Sequence, residues 1–152
     1  VVVTLILGID PGMNGAAALI RVEAGKPPGA VIAPLSDRWF LLATRDVRLV
    51  VVEAQHASPQ MGTRSAFALG RAYGAVRGVL ATLPGLRVEY VQPAVWRGSY
   101  GLSGGAAGKA AGVAMARDVL NDPERPLTHD EADAVLLAWW GWRNVVNRPV
   151  TD

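Results

Sequence analysis

Four acidic residues occupy positions where their types and spacing could do chemistry. Asp10 closes the apolar run Val2–Asp10, immediately before a Pro11-Gly12 turn. Glu53 follows Leu49-Val50-Val51-Val52, a stretch in which nothing else is polar. Asp130 and Asp133 are three residues apart, so in a helix they share one face and repel each other. The residues four positions from them are Pro126, Ala134, His129 and Leu137, of which only His129 can become cationic. A divalent cation relieves such repulsion, and Mg²⁺ and Mn²⁺ favour oxygen ligands. Carboxylates from two strand ends and one helix face could hold two ions about 3.5–4 Å apart, a geometry that clamps the attacking and leaving oxygens of a phosphodiester. Each acid also has a plainer reading. Asp10 could cap its turn, Glu53 could be solvated or paired with an arginine, and Asp130 could serve the helix dipole. Asp133, flanked by Ala132 and Ala134, is the hardest to explain that way. Glu131 points about 100° away from Asp130 and belongs to a capping box with Thr128, which leaves it outside the site.

These residues need elements to hold them. Val2–Asp10 reads as a strand, Pro11–Gly15 as a turn, Ala16–Glu23 as a second strand, Gly25–Gly29 as a turn and Ala30–Leu35 as a third strand. Short turns imply that these three are antiparallel. Asp37–Thr44 is a short helix candidate, and Arg48–Ala54 a strand apolar enough to be buried on both faces. Helices are expected over Thr63–Leu83, Pro93–Tyr100 and Ala106–Leu120, with a fifth strand at Arg87–Val91 and a flexible loop at Gly101–Gly105. A last helix is capped by Thr128 and runs through Ala132–Trp142. The order β-β-β-α-β-α-β-α-α-α predicts one α/β domain over residues 1–152, a five-stranded mixed sheet flanked by helices.

Gly62, Ala66, Gly70, Gly74 and Gly78 form a ridge of tiny residues repeating every four positions, and Gly108, Gly112 and Ala116 repeat the pattern. Interior glycines each cost a helix roughly 1 kcal/mol relative to alanine, so a close neighbour is expected. Two neighbours fit: the helix's own sheet, or a second helix in an i±4 seam between two copies of the chain. Trp139, Trp140 and Trp142 load the end of the last helix, as core packing or as a stacking platform for bases.

Composition limits the function classes. Half the chain, 51%, is hydrophobic, which argues against disorder. No apolar run reaches the roughly 18–20 residues of a membrane span, and the Val-rich opening reads as a strand rather than a signal peptide. Cysteine is absent, which removes thiolate chemistry and is compatible with a reducing cytoplasm. The net charge is only +2, but of 15 basic residues just Lys26 and Lys109 are lysines. An arginine bias suits a polyanion, and a GC-rich gene produces the same bias.

In that order along the chain, four segments resemble the motifs of RuvC-type resolvases. Gly8-Ile9-Asp10-Pro11-Gly12, with Gly15 and Ala16, is similar to the first motif. Glu53-Ala54-Gln55-His56-Ala57-Ser58-Pro59-Gln60-Met61-Gly62, continuing through Ser65, Phe67 and Gly70, resembles the second, especially in short phage-type members. Pro93-Ala94-Val95-Trp96-Arg97, with Gly101-Leu102 and Lys109, is similar to the basic segment between motifs, and His129-Asp130-Glu131-Ala132-Asp133-Ala134 matches the closing D-x-x-D-A pattern. The resemblance spans about residues 5–141 and implies an RNase H-like fold and a homodimer that presents two active sites to a four-way DNA junction. It implies two Mg²⁺ or Mn²⁺ ions per site on Asp10, Glu53, Asp130 and Asp133, and hydrolysis by paired nicks that leave a 5′-phosphate. Lys109 joins the catalytic set, and Arg64, Arg97, Lys109 and His56 are the expected DNA contacts. Lys109 behind a Gly-rich loop at a helix start also suits an anion on physical grounds. His56 stands where longer relatives carry an aromatic wedge, so opening of the junction passes to a weaker stacker, or to Met61 or Phe67, the latter expected in the core. His129 has two readings, auxiliary ligand or proton shuttle, and ordinary surface residue at a helix start. The same resemblance implies a cytoplasmic protein of a bacterium or a phage-infected host.

Other classes fit less well. Ser103-Gly104-Gly105-Ala106-Ala107-Gly108-Lys109 is superficially like a nucleotide-binding loop, but Ser103 replaces its first glycine and Ala110 its Mg²⁺-binding hydroxyl, so no nucleotide cofactor is expected. A two-lobed sugar-kinase or actin-like ATPase needs more than 152 residues. An RNase H-type ribonuclease, a flap- or fork-cutting nuclease and a non-catalytic junction-binding protein share the expected fold.

Overall fold

The computed structural model describes residues 2–37 and 44–148. Strands β1 (Val3–Asp10), β2 (Ala16–Glu23) and β3 (Gly29–Pro34) form an antiparallel meander, and β4 (Leu49–Glu53) and β5 (Val88–Val91) join it in parallel. The five-stranded sheet runs β3-β2-β1-β4-β5, so the expected mixed sheet with an antiparallel start is what forms. The helices are α1 (Thr63–Ala81), α2 (Pro93–Ser99), α3 (Gly105–Leu120) and α4 (His129–Gly141), each within two residues of its predicted bounds. Leu35–Asp37 makes a 3₁₀ turn, and 38–43, the rest of the helix expected at Asp37–Thr44, lies outside the described residues. No helix among the described residues is long and apolar enough to cross a membrane.

Side chains alternate along a strand, so each strand feeds two layers. Ile6, Ala18, Ile20, Leu49 and Val51 face α4, together with Trp96, Ala116 and Leu120. Leu7, Ile9, Ala17, Val50 and Val52 face the other way, onto Val76 and Leu80 of α1. Helix α4 is buried on every side from Ala132 to Ala138 because it lies between the sheet and α3, which accounts for an apolar sequence broken only by Asp133. Its entry is fixed by the predicted capping box: Glu131 N donates to Thr128 Oγ1 at 3.2 Å, and Thr128 N to Glu131 Oε2 at 2.8 Å.

The two rows of small residues behave differently. In α3, Gly108 lies against the Ser103 backbone, Gly112 against Leu102 and Asp133, and Ala116 is fully buried, so this row does mediate close packing. At Gly62, just before α1, and at Gly70, Gly74 and Gly78 within it, a Cβ would meet nothing within 4 Å among the described residues. Of the two neighbours that fit this ridge, its own sheet is therefore ruled out among the described residues. Burying Val76 and Leu80 turns the glycine face outward. Phe67, expected in the core, shares that outcome at 68% exposed, with Arg71 stacked 5.9 Å from its ring. Trp139 and Trp142 stack on each other at 4.6 Å and, with Trp140, pack half-buried against the core. They are not an open platform.

Candidate active site

Parallel pairing and strand parity bring the first two acids to one place. Ile9 is opposite Val52, so Asp10 and Glu53 are the next residues on neighbouring strands at the same sheet end. Asp10 shares the parity of Ile6 and Gly8, and Glu53 that of Leu49 and Val51, so both acids face α4. Helix α4 can come close because β1 has no side chain where they cross. A Cβ on Gly8 would lie 2.0 Å from the Ala134 carbonyl oxygen and 2.6 Å from the Ala138 nitrogen. That crossing sets the first two turns of α4, with Asp130 and Asp133, beside the strand ends.

Asp10 feels the charges of Glu53, Asp130 and Asp133, and Asp133 feels those of Glu53 and Asp130. Burial pushes the Asp10 carboxyl up to about 7, and the charges of Glu53, Asp130 and Asp133 add to the rise, against a bond donated by Gly12 N to Oδ1 at 3.1 Å. Asp133 is raised to about 6, chiefly by burial; Arg97 opposes the rise while Glu53 and Asp130 add to it. The charges couple, yet the oxygens do not converge: among the described residues no three acidic or histidine side chains are grouped as a ready cage for an ion. Protein donors hold them instead. Gln55 Nε2 donates to Glu53 Oε1 at 2.8 Å and Trp96 Nε1 to Glu53 Oε2 at 2.7 Å. Arg97 Nη2 pairs with Asp133 Oδ2, and His129 Nε2 lies 3.2 Å from Asp130 Oδ1. The donor set still fits a hard divalent cation, since it is carboxylate throughout and its mutual repulsion is what a cation would relieve.

The other candidates are distributed around this end. Arg97 sits on α2 against Asp133, engaged with a carboxylate rather than facing open solvent. Lys109 is exposed on α3, one turn before Gly112, whose position faces Asp133 Oδ1. His56 and Arg64 are exposed, the first on the loop that leaves β4 at Glu53 and the second in the opening turn of α1. No hydrogen bond or ion pair ties Lys109, His56 or Arg64 to another described residue. A cleft of about 330 Å³ opens beside Asp130 and His129, walled by Asn14, Gly15, Pro34 and Thr128. Trp96 and Gln55 are marked in the sequence only as members of longer segments. Their bonds to Glu53 give no local signal, and Trp96 reaches it across 43 positions.

No protein-family model matches the chain, and no curated protein matches it. Solved structures do. Thermus thermophilus RuvC in complex with a Holliday junction substrate is 19% identical, over 93% of this chain and 97% of that one, with a TM-score of 0.66. A second T. thermophilus RuvC structure is 22% identical, over 89% and 91%, with a TM-score of 0.64. Strand order, strand polarity and flanking helices agree with these neighbours, so the chain has the RNase H-like fold of RuvC.

Proposed function

We propose that this chain is a structure-selective DNA endonuclease that resolves four-way (Holliday) junctions by metal-dependent phosphodiester hydrolysis with paired nicks. One observation carries the reading. Four carboxylates, from two adjacent parallel strand ends and one buried helix, with the other three all acting on Asp10, share one end of a sheet whose fold is that of a protein solved on a Holliday junction substrate. On this reading Asp10, Glu53, Asp130 and Asp133 would hold two Mg²⁺ or Mn²⁺ ions. Bound there, the ions would supply the positive charge that attacking and leaving oxygens require. The chain's own residues do the rest: Gly12 orients Asp10, Trp96 and Gln55 orient Glu53, and Arg97 and Lys109 offer positive charge to a phosphate. Arg64 and His56 extend the contact along the DNA backbone. Two copies acting as a homodimer would deliver paired nicks, and the open glycine ridge of α1 is the surface best suited to join them.

The test is cleavage of a labelled synthetic four-way junction beside a matched linear duplex and an RNA–DNA hybrid, with Mg²⁺, Mn²⁺ or EDTA. Asp10→Asn serves as the control. Paired nicks in the junction, absent in EDTA and in the variant, are expected. Cutting of the hybrid alone would keep the metal-dependent reading and overturn the substrate. Binding of the junction without cutting would overturn catalysis.

A further inference from the structure

We propose that Trp96 is a positioning residue: through its indole N–H it fixes the orientation of the Glu53 carboxylate relative to α4, which metal uptake by the acidic cluster requires. The inference rests on the metal-dependent reading above and goes beyond it. Trp96 is the largest fully buried side chain among the described residues, with 0% of its surface exposed, and its Nε1 stands 2.7 Å from Glu53 Oε2. An indole N–H only donates, so it can meet this carboxylate in one way. It is also uncharged and pins an oxygen without cancelling the negative charge a cation needs, as a lysine or arginine there would.

Helix α2 links Trp96 to both acid-bearing elements. Strand β5 pairs with β4 at Glu53–Val91 and α2 starts two residues later at Pro93, which sets its first turn against the end of β4. Tyr100, one turn after Trp96, meets its ring edge-on at 6.4 Å and donates its hydroxyl to the Leu136 carbonyl of α4 at 3.0 Å. Burial raises the Tyr100 phenol, so that hydroxyl stays a donor. Arg97, the next residue, pairs with Asp133, and its guanidinium lies 4.8 Å from the centre of the Trp96 ring. One short helix and its C-cap thus hold Glu53 through Trp96, Asp133 through Arg97 and the backbone of α4 through Tyr100. They act as a gauge between β4 and α4.

The experiment is Mn²⁺ binding to the full chain by calorimetry at pH 7.5, comparing the wild type with Trp96→Phe. A second variant carries benzothienylalanine at position 96, which replaces the N–H by sulfur and keeps the shape. Loss of a charge-assisted hydrogen bond should weaken Mn²⁺ binding about tenfold in both. In ¹⁵N-tryptophan-labelled protein, the indole resonance missing from Trp96→Phe should shift with Mg²⁺ and in Glu53→Gln. A purely structural role would lower thermal stability in Trp96→Phe and leave Mn²⁺ affinity intact in the benzothienyl variant, which would overturn the proposal. Absence of Mn²⁺ binding by the wild type would instead overturn the metal-dependent reading on which it stands.

Discussion

Asp10 is the residue whose protonation reports most directly on the proposed site. Its carboxyl is raised from 3.8 to about 7, first by burial and then by Glu53. Below pH 3.8 it is protonated whether the chain is folded or not, and it costs nothing. Between 3.8 and about 7 the folded chain binds the proton that the unfolded chain has lost, so stability falls as pH rises; above 7 the penalty is complete. Asp133, raised to about 6, acts with the same sign. From pH 5 to pH 8 in EDTA, Asp10 alone should cost about 3 kcal/mol, on the order of 5–10 °C in Tm. Thermal melts at the two pH values test this. Asp10→Asn keeps an oxygen for Gly12 N and should flatten the slope, and Mn²⁺ should restore stability at pH 8. A wild-type Tm that is flat or rises over this range counts against a buried, mutually repelling cluster. Asp10, Glu53 and Asp133 stand out in the sequence because each interrupts an apolar pattern, and Asp130 because it shares a helix face with Asp133 three residues on. Trp96 could not. Its apolar surroundings on α2 are those of any core tryptophan, and the carboxylate that employs it is 43 residues away.

At the scale of elements, the decisive contact is the crossing of β1 and α4. Gly8 meets the α4 backbone so closely that an added methyl has no flexible side chain to displace. Gly8→Ala should therefore force the helix off the sheet, cost at least about 3 kcal/mol and lower Tm accordingly, measured by urea or thermal unfolding. It should also separate Asp130 and Asp133 from Asp10, so that junction cleavage falls more steeply than stability. A Tm within 2 °C of wild type, to order of magnitude under 1 kcal/mol, would mean that the crossing is looser than drawn. The strands and helices were legible because apolar period, turn residues and the Thr128–Glu131 box agree locally with the final fold. What sequence could not settle was which face of α1 turns inward. Helical spacing puts Gly70, Gly74 and Gly78 on one side and Val76 and Leu80 on another, but a row of small residues is equally at home beneath a sheet or against a second helix. Phe67 follows the glycines outward for the same geometric reason, although its apolarity alone assigns it to the core.

For the molecule as a whole, that outward face raises an energetic problem with a testable solution. Gly70, Gly74 and Gly78 weaken α1 by roughly 1 kcal/mol each, and no described residue of the same copy approaches any of them. A second copy could, because small residues four apart let two helices approach closely in i±4 packing. Helix α1 carries Arg64, Arg71 and Arg77 and no acidic residue, so two such helices in register would also repel. Close backbone contact and burial of Phe67 must offset that repulsion, and salt should strengthen the pairing by screening it. Gly74→Leu separates the possibilities. If α1 is simply exposed, leucine improves helix propensity, stability rises by up to about 1 kcal/mol and the mass is unchanged. If α1 joins two copies, the leucine fills the seam. Light scattering should then show a dimer for the wild type and a monomer for the variant, while the monomer's fold survives. Paired nicking of a junction should decay into uncoupled single nicks in that variant, with the rate of each nick preserved, because Asp10, Glu53, Asp130 and Asp133 lie on the α4 side of the sheet and α1 packs on the other. A wild type that stays monomeric at all salt concentrations would remove the ridge as an interface and leave the cost of its glycines without a structural return.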